Sequence, residues 1–370
     1  MRTAVLSDPH LGRLKGGDIL RQPAPRTRLL EVLGELDRLV ILGDVFELRE
    51  IRTAAAVSLA RPLFEELGKA LPPGAEVVVV PGNHDYLLAK PALRRVSRRR
   101  LGLEQTATVE PGGRLGPLAE AVSPVRLTVA YPGLWVRPDV YAIHGHWLDA
   151  HAGGRRFENR VIAKFERWLP LPDRATPYHY ERVSAPLYRV AHLFLTGAGR
   201  TRGHGVLAIF QRLSRRGRAG KAQPAPSGQP PPPATGTASV APVADSTSDP
   251  GPTPPAPDPK KLAGRPRTVQ AMIDVVGHLQ IEAQHVLFGH THRAGPLPGD
   301  DPEAWHAPTG PRLVNLGSWV YEETAAGVDP GRSPYWPGRL VLLDDAGPPR
   351  LVGLLDDLPA ERWGASTEET

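Results

Sequence analysis

The chain has 370 residues, room for two ordinary domains or for one large domain with insertions. Its 42 prolines and 38 glycines far exceed their usual combined share of roughly 12%, so at least one segment is expected not to pack, while 41% hydrophobic residues exclude a wholly disordered chain. Cysteine is absent, which excludes disulfides and thiolate metal sites, and the net charge of +6 is uneven: residues 147–221 carry 15 Lys/Arg against 5 Asp/Glu, leaving the remainder slightly acidic.

The first residues form too short an apolar stretch for a signal peptide. No run of about 18 apolar residues predicts a transmembrane helix. A soluble, cytoplasmic protein is the expectation. In chain order, residues 3–6 read as a short apolar strand. Leu29, Leu30, Leu33 and Leu36 give helical spacing over 25–39. A strand at 38–42, a helix at 53–71 and a buried strand at 76–80 follow. Further strands are expected at 125–130 and 140–143. This βαβ rhythm predicts an α/β layered sheet.

Residues 147–221 change character. Phe157, Val161, Ile162, Phe165, Trp168 and Leu169 share one helical face, with arginines and a lysine around the other. The segment reads as a basic helical insertion. Its stripe is either packed structure or a lid, and the basic face makes it a candidate peripheral membrane contact. Residues 222–262 read as a Pro-rich linker, disordered or polyproline-II-like: 13 prolines fall within 222–259, with no Leu, Ile, Phe, Tyr or Trp there to build a core. The α/β pattern resumes over 263–370. A helix is expected at 268–282 and strands at 285–288, 313–316, 340–343 and 350–355. The division is therefore 1–146, 147–221, 222–262 and 263–370.

Five segments share one layout, an apolar strand followed by metal-ligand residues. They carry Asp8 and His10, then Asp44, then Asn83, His84 and Asp85, then His144 and His146, and finally His290 and His292. Ligands at strand ends in an α/β sheet converge on one crevice. Carboxylate, amide and imidazole without thiolate suit Mn, Fe or Zn. Seven ligands exceed what one ion with an open position takes, and suit two ions sharing a carboxylate.

These blocks resemble those of the calcineurin-like metallophosphoesterase superfamily. Asp8-Pro9-His10 matches its D-x-H block and Gly43-Asp44 opens its G-D-x-x-D block. Gly82-Asn83-His84-Asp85 and Gly289-His290-Thr291-His292 match its G-N-H-D/E and G-H-x-H blocks, and Asn315-Leu316-Gly317-Ser318 looks like its N-x-G-S strand. The resemblance implies a four-layer α-β-β-α sandwich interrupted by the insertion and linker. It implies two divalent ions, Mn2+ foremost with Fe or Zn as alternatives. Asp8, His10 and His292 would hold one, Asn83, His144 and His290 the other, and Asp44 would bridge. A metal-bridging hydroxide would attack phosphorus in line. His84 would protonate the leaving oxygen and Asp85 would orient His84. Glu47 stands where many relatives have a second Asp. Glu47 and the His-Gly-His block resemble the UDP-2,3-diacylglucosamine diphosphatase branch, whose members commonly carry Arg at the place of His84.

The substrate expected is anionic: a phosphodiester or pyrophosphate with a nucleotide or lipid portion. Arg94 and Arg95 are candidate phosphate contacts, against a solvated helix end. His146 is a candidate substrate or supporting residue, against a rim position. A nuclease or cyclic-nucleotide phosphodiesterase is the second reading, since a basic segment can track nucleic acid. A third is a non-catalytic scaffold using the Pro-rich segment to bind partners.

Overall fold

The computed structural model describes residues 1–94, 100–152, 171–182, 184, 265–308, 310–326 and 333–360. Three short apolar strands, β1 (Thr3–Ser7), β2 (Arg38–Leu42) and β3 (Glu76–Val80), pair in parallel and in step, Val5 beside Val40 and Val40 beside Val78. Their near-continuous apolar character follows from burial on both faces. After β4 (Glu104–Thr108), β5 (Arg126–Arg137) and β6 (Val140–Ile143) come β7 (His285–Phe288), β8 (Ala294–Gly295), β9 (Arg312–Leu316), β10 (Arg339–Leu343) and β11 (Arg350–Gly353). All eleven belong to one hydrogen-bonded sheet, ordered β11-β10-β1-β2-β3-β5-β6-β7-β9-β8, with β4 on β5.

Helices α1 (Pro23–Glu31), α2 (Thr53–Ala70), α3 (Lys90–Arg94), α4 (Gly116–Ala121), α5 (Asp149–Ala152), α6 (Arg267–Leu279) and α7 (Glu323–Ala326) connect the strands. The core has three large clusters. Leu6, Ile41, Val77 and Val79 pack against the apolar faces of α2 and α4, including Phe64, Leu67 and Leu118. The alternate residues Val5, Val40, Val78 and Val80 share a second cluster with Ala142, Leu287 and Val314 of β6, β7 and β9. The other faces of β6 and β7, with Tyr141, Ile143, Val286 and Phe288, pack on Met272, Val275 and Val276 of α6. This is the period-two alternation of strands applied twice. Each fully buried Leu, Val or Phe contributes about 1.5–3 kcal/mol.

The strand and helix expectations largely match these elements, with four differences. The helix expected over 25–39 stops at Glu31, because Leu33–Glu35 tightens into a 3-10 turn before the chain extends into β2. β5 runs on to Arg137 through Pro132-Gly133, which as a sequence reads as a breaker. The first part of β5 pairs with β3 and its last part with β6, so one long strand carries the sheet from one half to the other. β4, with the sequence Glu-Gln-Thr-Ala-Thr, lacks the apolar alternation that marks a strand and buries only Ala107. β8 is only two residues long.

Of the 147–221 insertion, only 147–152, 171–182 and 184 are described; the apolar stripe and the Pro-rich linker lie outside the described residues. The described part docks on the core. Tyr180 stacks on Trp147 at 4.9 Å, and Tyr86 and Tyr131 both donate to the buried Glu181 carboxylate. Among the described residues, no helix is long and apolar enough to cross a membrane.

Candidate metal centre

The loops after β1, β2, β3, β6 and β7 meet at one end of the sheet. Backbone bonds hold them together: His10 N–H donates to Asp44 O at 2.8 Å, and Gly289 N–H to His144 O at 2.9 Å. The two ends of the chain join through Asp8, whose Oδ2 accepts from the His290 amide at 2.9 Å and whose carbonyl accepts from the Trp319 amide at 3.1 Å. Asp8, His10, Asp44, His290 and His292 all have positive φ, between 45° and 68°. Such values are uncommon for residues with a side chain and persist only where the surroundings enforce them. Asp44 also needs a bare neighbour: a Cβ at Gly82 would lie 2.2 Å from Asp44 Oδ1.

Three groups of side chains could each hold a metal ion: Asp8, His10 and His292; His10, Asp44 and His84; Asp44, His144 and His290. His10 Nε2 lies 3.2 Å from His292 Nε2, 3.7 Å from Asp8 Oδ1 and 3.7 Å from Asp44 Oδ2. His144 Nε2 lies 3.3 Å from Asp44 Oδ2 and 3.2 Å from Asn83 Oδ1. Ligand atoms about 2.1 Å from one ion in tetrahedral geometry sit about 3.4 Å apart, the spacing seen here. Asp8 Oδ1 is buried without a hydrogen-bond donor and faces His292 Nε2 at 3.6 Å. A buried carboxylate oxygen in that position fits a cation. The residues present therefore fit divalent metal binding.

The other ring nitrogens are held by supporting groups, which fixes their tautomers. His144 donates from Nδ1 to Leu42 O at 3.3 Å. His290 donates from Nε2 to Asp149 Oδ2 at 3.0 Å. His10 donates from Nδ1 to Glu47 Oε2 at 3.0 Å, and His84 from Nδ1 to Glu47 at 2.7 Å. One carboxylate thus fixes two imidazoles.

Asp85 does not meet the expectation that it orients His84. Its oxygens accept from the amides of Gly82 at 2.7 Å and Val45 at 2.8 Å, with a longer contact to Phe46. It ties the β2 and β3 loops together, and Glu47 meets His84 instead. The reason is geometric: the tight turn after Gly82 points the Asp85 side chain back under the backbone. Burial, reinforced by the Asp44 charge, pushes the Asp85 carboxyl up to about 7.

Burial alone would lower the His10 and His144 imidazoles. Hydrogen bonds to Asp8 and Glu47, with the Asp44 charge, outweigh it and push His10 up to about 10. The charges of Asp44 and Asp8 push His144 up to about 9. Burial opposes, but hydrogen bonds from His10 and His84 lower the Glu47 carboxyl to about 2. Asp8 and Asp44 are also held below the usual carboxylate range despite burial, chiefly by His144.

The groups open into a cleft of about 620 Å³, lined by His10, Asp44, Glu47, Asn83, His84, His290 and His292, with Arg13, Glu322 and Tyr335 toward solvent. His146, a candidate for substrate contact, is 1% exposed and packs behind His144 with ring centres 5.4 Å apart, away from the cleft lining. Arg94 ends α3, and Arg95 lies outside the described residues. Asn315 donates to Thr291 Oγ1 at 2.7 Å, which braces the His290–His292 loop from β9. The supporting role of Asp149 had no motif to announce it: it stands five residues beyond His144 at a helix start. Glu47 was visible as a departure from the family block, but its partners were not.

An α/β sheet with carboxylates and imidazoles gathered at its strand ends defines a candidate metal centre. The family model described as calcineurin-like phosphoesterase matches residues 1–213, and the chain belongs to that family. The His290–His292 loop lies beyond the matched stretch and is brought to it by the fold. No curated protein sequence matches the chain. Among solved structures, a cold-active protein-tyrosine phosphatase of a psychrophilic Shewanella species is 14% identical, over 93% of this chain and 75% of that one, with a TM-score of 0.29. An overlay that poor carries no argument.

Proposed function

We propose that the protein hydrolyses a phosphodiester or pyrophosphate bond of a nucleotide- or lipid-linked substrate, with two divalent ions, Mn2+ foremost. The observation that carries this reading is the sharing of Asp44 between the group containing His10 and the group containing His144 and His290. In this reading Asp8, His10 and His292 would hold one ion and Asn83, His144 and His290 the other, with Asp44 available to both. When bound, the ions supply Lewis-acid activation of water and of the phosphoryl oxygens.

The chain's own residues do the rest. Asp149, Glu47 and the Leu42 carbonyl aim the imidazoles. Glu47 anchors Nδ1 of His84, leaving its Nε2, 3.9 Å from Asp44 Oδ2, on the cleft side. Burial lowers this imidazole while the Asp44 and Glu47 carboxylates oppose the shift, and it is the imidazolium form, protonated on both ring nitrogens, that would hand a proton from Nε2 to the leaving oxygen. The catalytic body is the pair of segments 1–146 and 263–370. The long β5 and the shared β-face cluster support a sheet folded on itself into four layers.

The test is metal analysis together with hydrolysis of bis(p-nitrophenyl) phosphate in Mn2+. The wild type is expected to bind close to two ions and to turn over, and Asp44→Ala to lose both. Undiminished hydrolysis in Asp44→Ala would sink the assignment.

A further inference from the structure

Phosphate recognition at the cleft falls to a residue outside the metal-ligand blocks. Among the described residues lining the cleft, Arg13 carries the only guanidinium or ammonium group. It sits one turn beyond His10, its amide donating to His10 O at 3.2 Å. The loop that carries it is held from both sides. Leu14 N–H donates to Glu50 Oε2 at 2.6 Å, Gly12 N–H to Asp18 Oδ2 at 2.8 Å, and Tyr321 N–H to Gly17 O at 2.8 Å. Arg13 is therefore on a braced loop, fixed relative to His10.

Its side chain makes one polar contact among the described residues, from Nη2 to Glu322 Oε1 at 2.6 Å. That contact spans the cleft mouth, from the β1 loop to the segment after β9. A guanidinium presents five N–H donors in a planar fork that matches phosphate oxygens two at a time. One contact leaves most of that fork unused. The pair is also open to water, with side chains 22% and 42% exposed, and such ion pairs are weak and readily exchanged.

We infer that Arg13 is a specificity-determining residue that binds a second phosphate, the one adjoining the scissile phosphorus, by exchanging Glu322 for it. This rests on the phosphoesterase reading of the cleft and deepens it toward pyrophosphate-linked substrates. A single phosphate occupies the ligand cluster alone. A second phosphate extends toward the mouth, where Arg13 is the cation that meets it. Glu322 then acts as a competitor that tempers binding of diphosphates.

The experiment is calorimetric binding of methylenediphosphonate and of inorganic phosphate to the full-length chain in saturating Mn2+, for wild type, Arg13→Ala, Arg13→Lys and Glu322→Gln, with bis(p-nitrophenyl) phosphate turnover measured alongside. Arg13→Ala is expected to weaken the diphosphonate roughly tenfold or more and inorganic phosphate far less, so that the ratio of the two affinities falls. Arg13→Lys is expected to recover part of the loss, and Glu322→Gln to tighten the diphosphonate. Equal effects on both anions, no effect on either, or no diphosphonate binding by the wild type would overturn the inference. Absent diester turnover in the wild type would instead count against the phosphoesterase reading, and the binding ratio would still decide the role of Arg13.

Discussion

The carboxylate of Glu47 lies 2.7 Å from Nδ1 of His84, and the same carboxylate receives His10 Nδ1 at 3.0 Å. A histidine expected to act on the leaving group and a histidine expected to hold metal are thus fixed by one acid. Glu47→Gln keeps the size and removes the charge. Loss of such a supporting carboxylate costs about 10–100-fold in metal affinity or activity. Metal titration and turnover of Glu47→Gln are expected to fall in that range together. Glu47→Asp, which keeps the charge but shortens the reach, is expected to recover less than the wild-type level.

His84 offers a separate test of role. If it serves the leaving group, His84→Ala lowers kcat by about 10²–10⁴ and leaves metal content unchanged. Metal content that falls in step with kcat would make His84 a ligand instead, which its place in the group with His10 and Asp44 also allows.

Asp149 should matter without touching substrate chemistry. It accepts from His290 Nε2 at 3.0 Å, which leaves Nδ1 as the unprotonated nitrogen of a ring grouped with Asp44 and His144. Asp149→Asn is expected to weaken binding of one ion by about tenfold or more, with thermal stability of the metal-free protein little changed. Biphasic metal titration reads this out.

The pH dependence of stability follows from the buried charges. His10 and His144 are raised to about 10 and about 9, against an ordinary value of about 6.5. A raised histidine contributes stability that is fully present below about pH 6.5 and is lost as pH rises through the folded values. Glu47, lowered to about 2 against about 4.3, contributes stability present above about pH 4.3 and lost as pH falls toward 2. The chelator-treated protein is therefore expected to melt highest near pH 5–6.5 and progressively lower toward pH 10. Metal ligation requires neutral imidazole, so metal affinity rises over that alkaline range. Melting curves with EDTA and with Mn2+ at matched pH are expected to diverge increasingly above pH 7.

Gly289 carries a steric prediction. A Cβ there would lie 1.9 Å from Ser7 Oγ and 2.4 Å from Asp8 Oδ2. Gly289→Ala must displace the His290–His292 loop from the Asp8 loop, so lost metal binding and a lower melting temperature are expected. Gly34→Ala, where nothing lies within 4 Å of the added atom, is the control and is expected to behave as wild type.

Much of this protein was written locally. The runs Val77-Val78-Val79-Val80 and Leu39-Val40-Ile41-Leu42 read as buried strands because continuous apolar character over four residues has few other uses in a layered α/β protein. Asp8, Asp44, Asn83, His144, His290 and His292 were legible as one set because each follows a strand end; parallel pairing gathers the ends of β1, β2 and β3 and those of β6 and β7, while β5, parallel to β3 and antiparallel to β6, joins the two sets. Local signals failed where local chemistry was misleading. The strand expected over 125–130 runs on through Pro132-Gly133 to Arg137. Asp85 stands beside His84 in sequence, yet its carboxylate turns to backbone amides.

The sequence by itself determined which residue types could bind metal, where the strands that bear them lie, and that the ligand atoms are oxygen and nitrogen, since there is no cysteine. Only the tertiary structure decided which partner each group has. Glu47 to His84, Asp149 to His290 and Arg13 to Glu322 join residues 37, 141 and 309 positions apart. No periodicity or motif encodes a pairing at such separations. It is set by how the sheet twists and where its loops are braced, and so by the packing of the whole core.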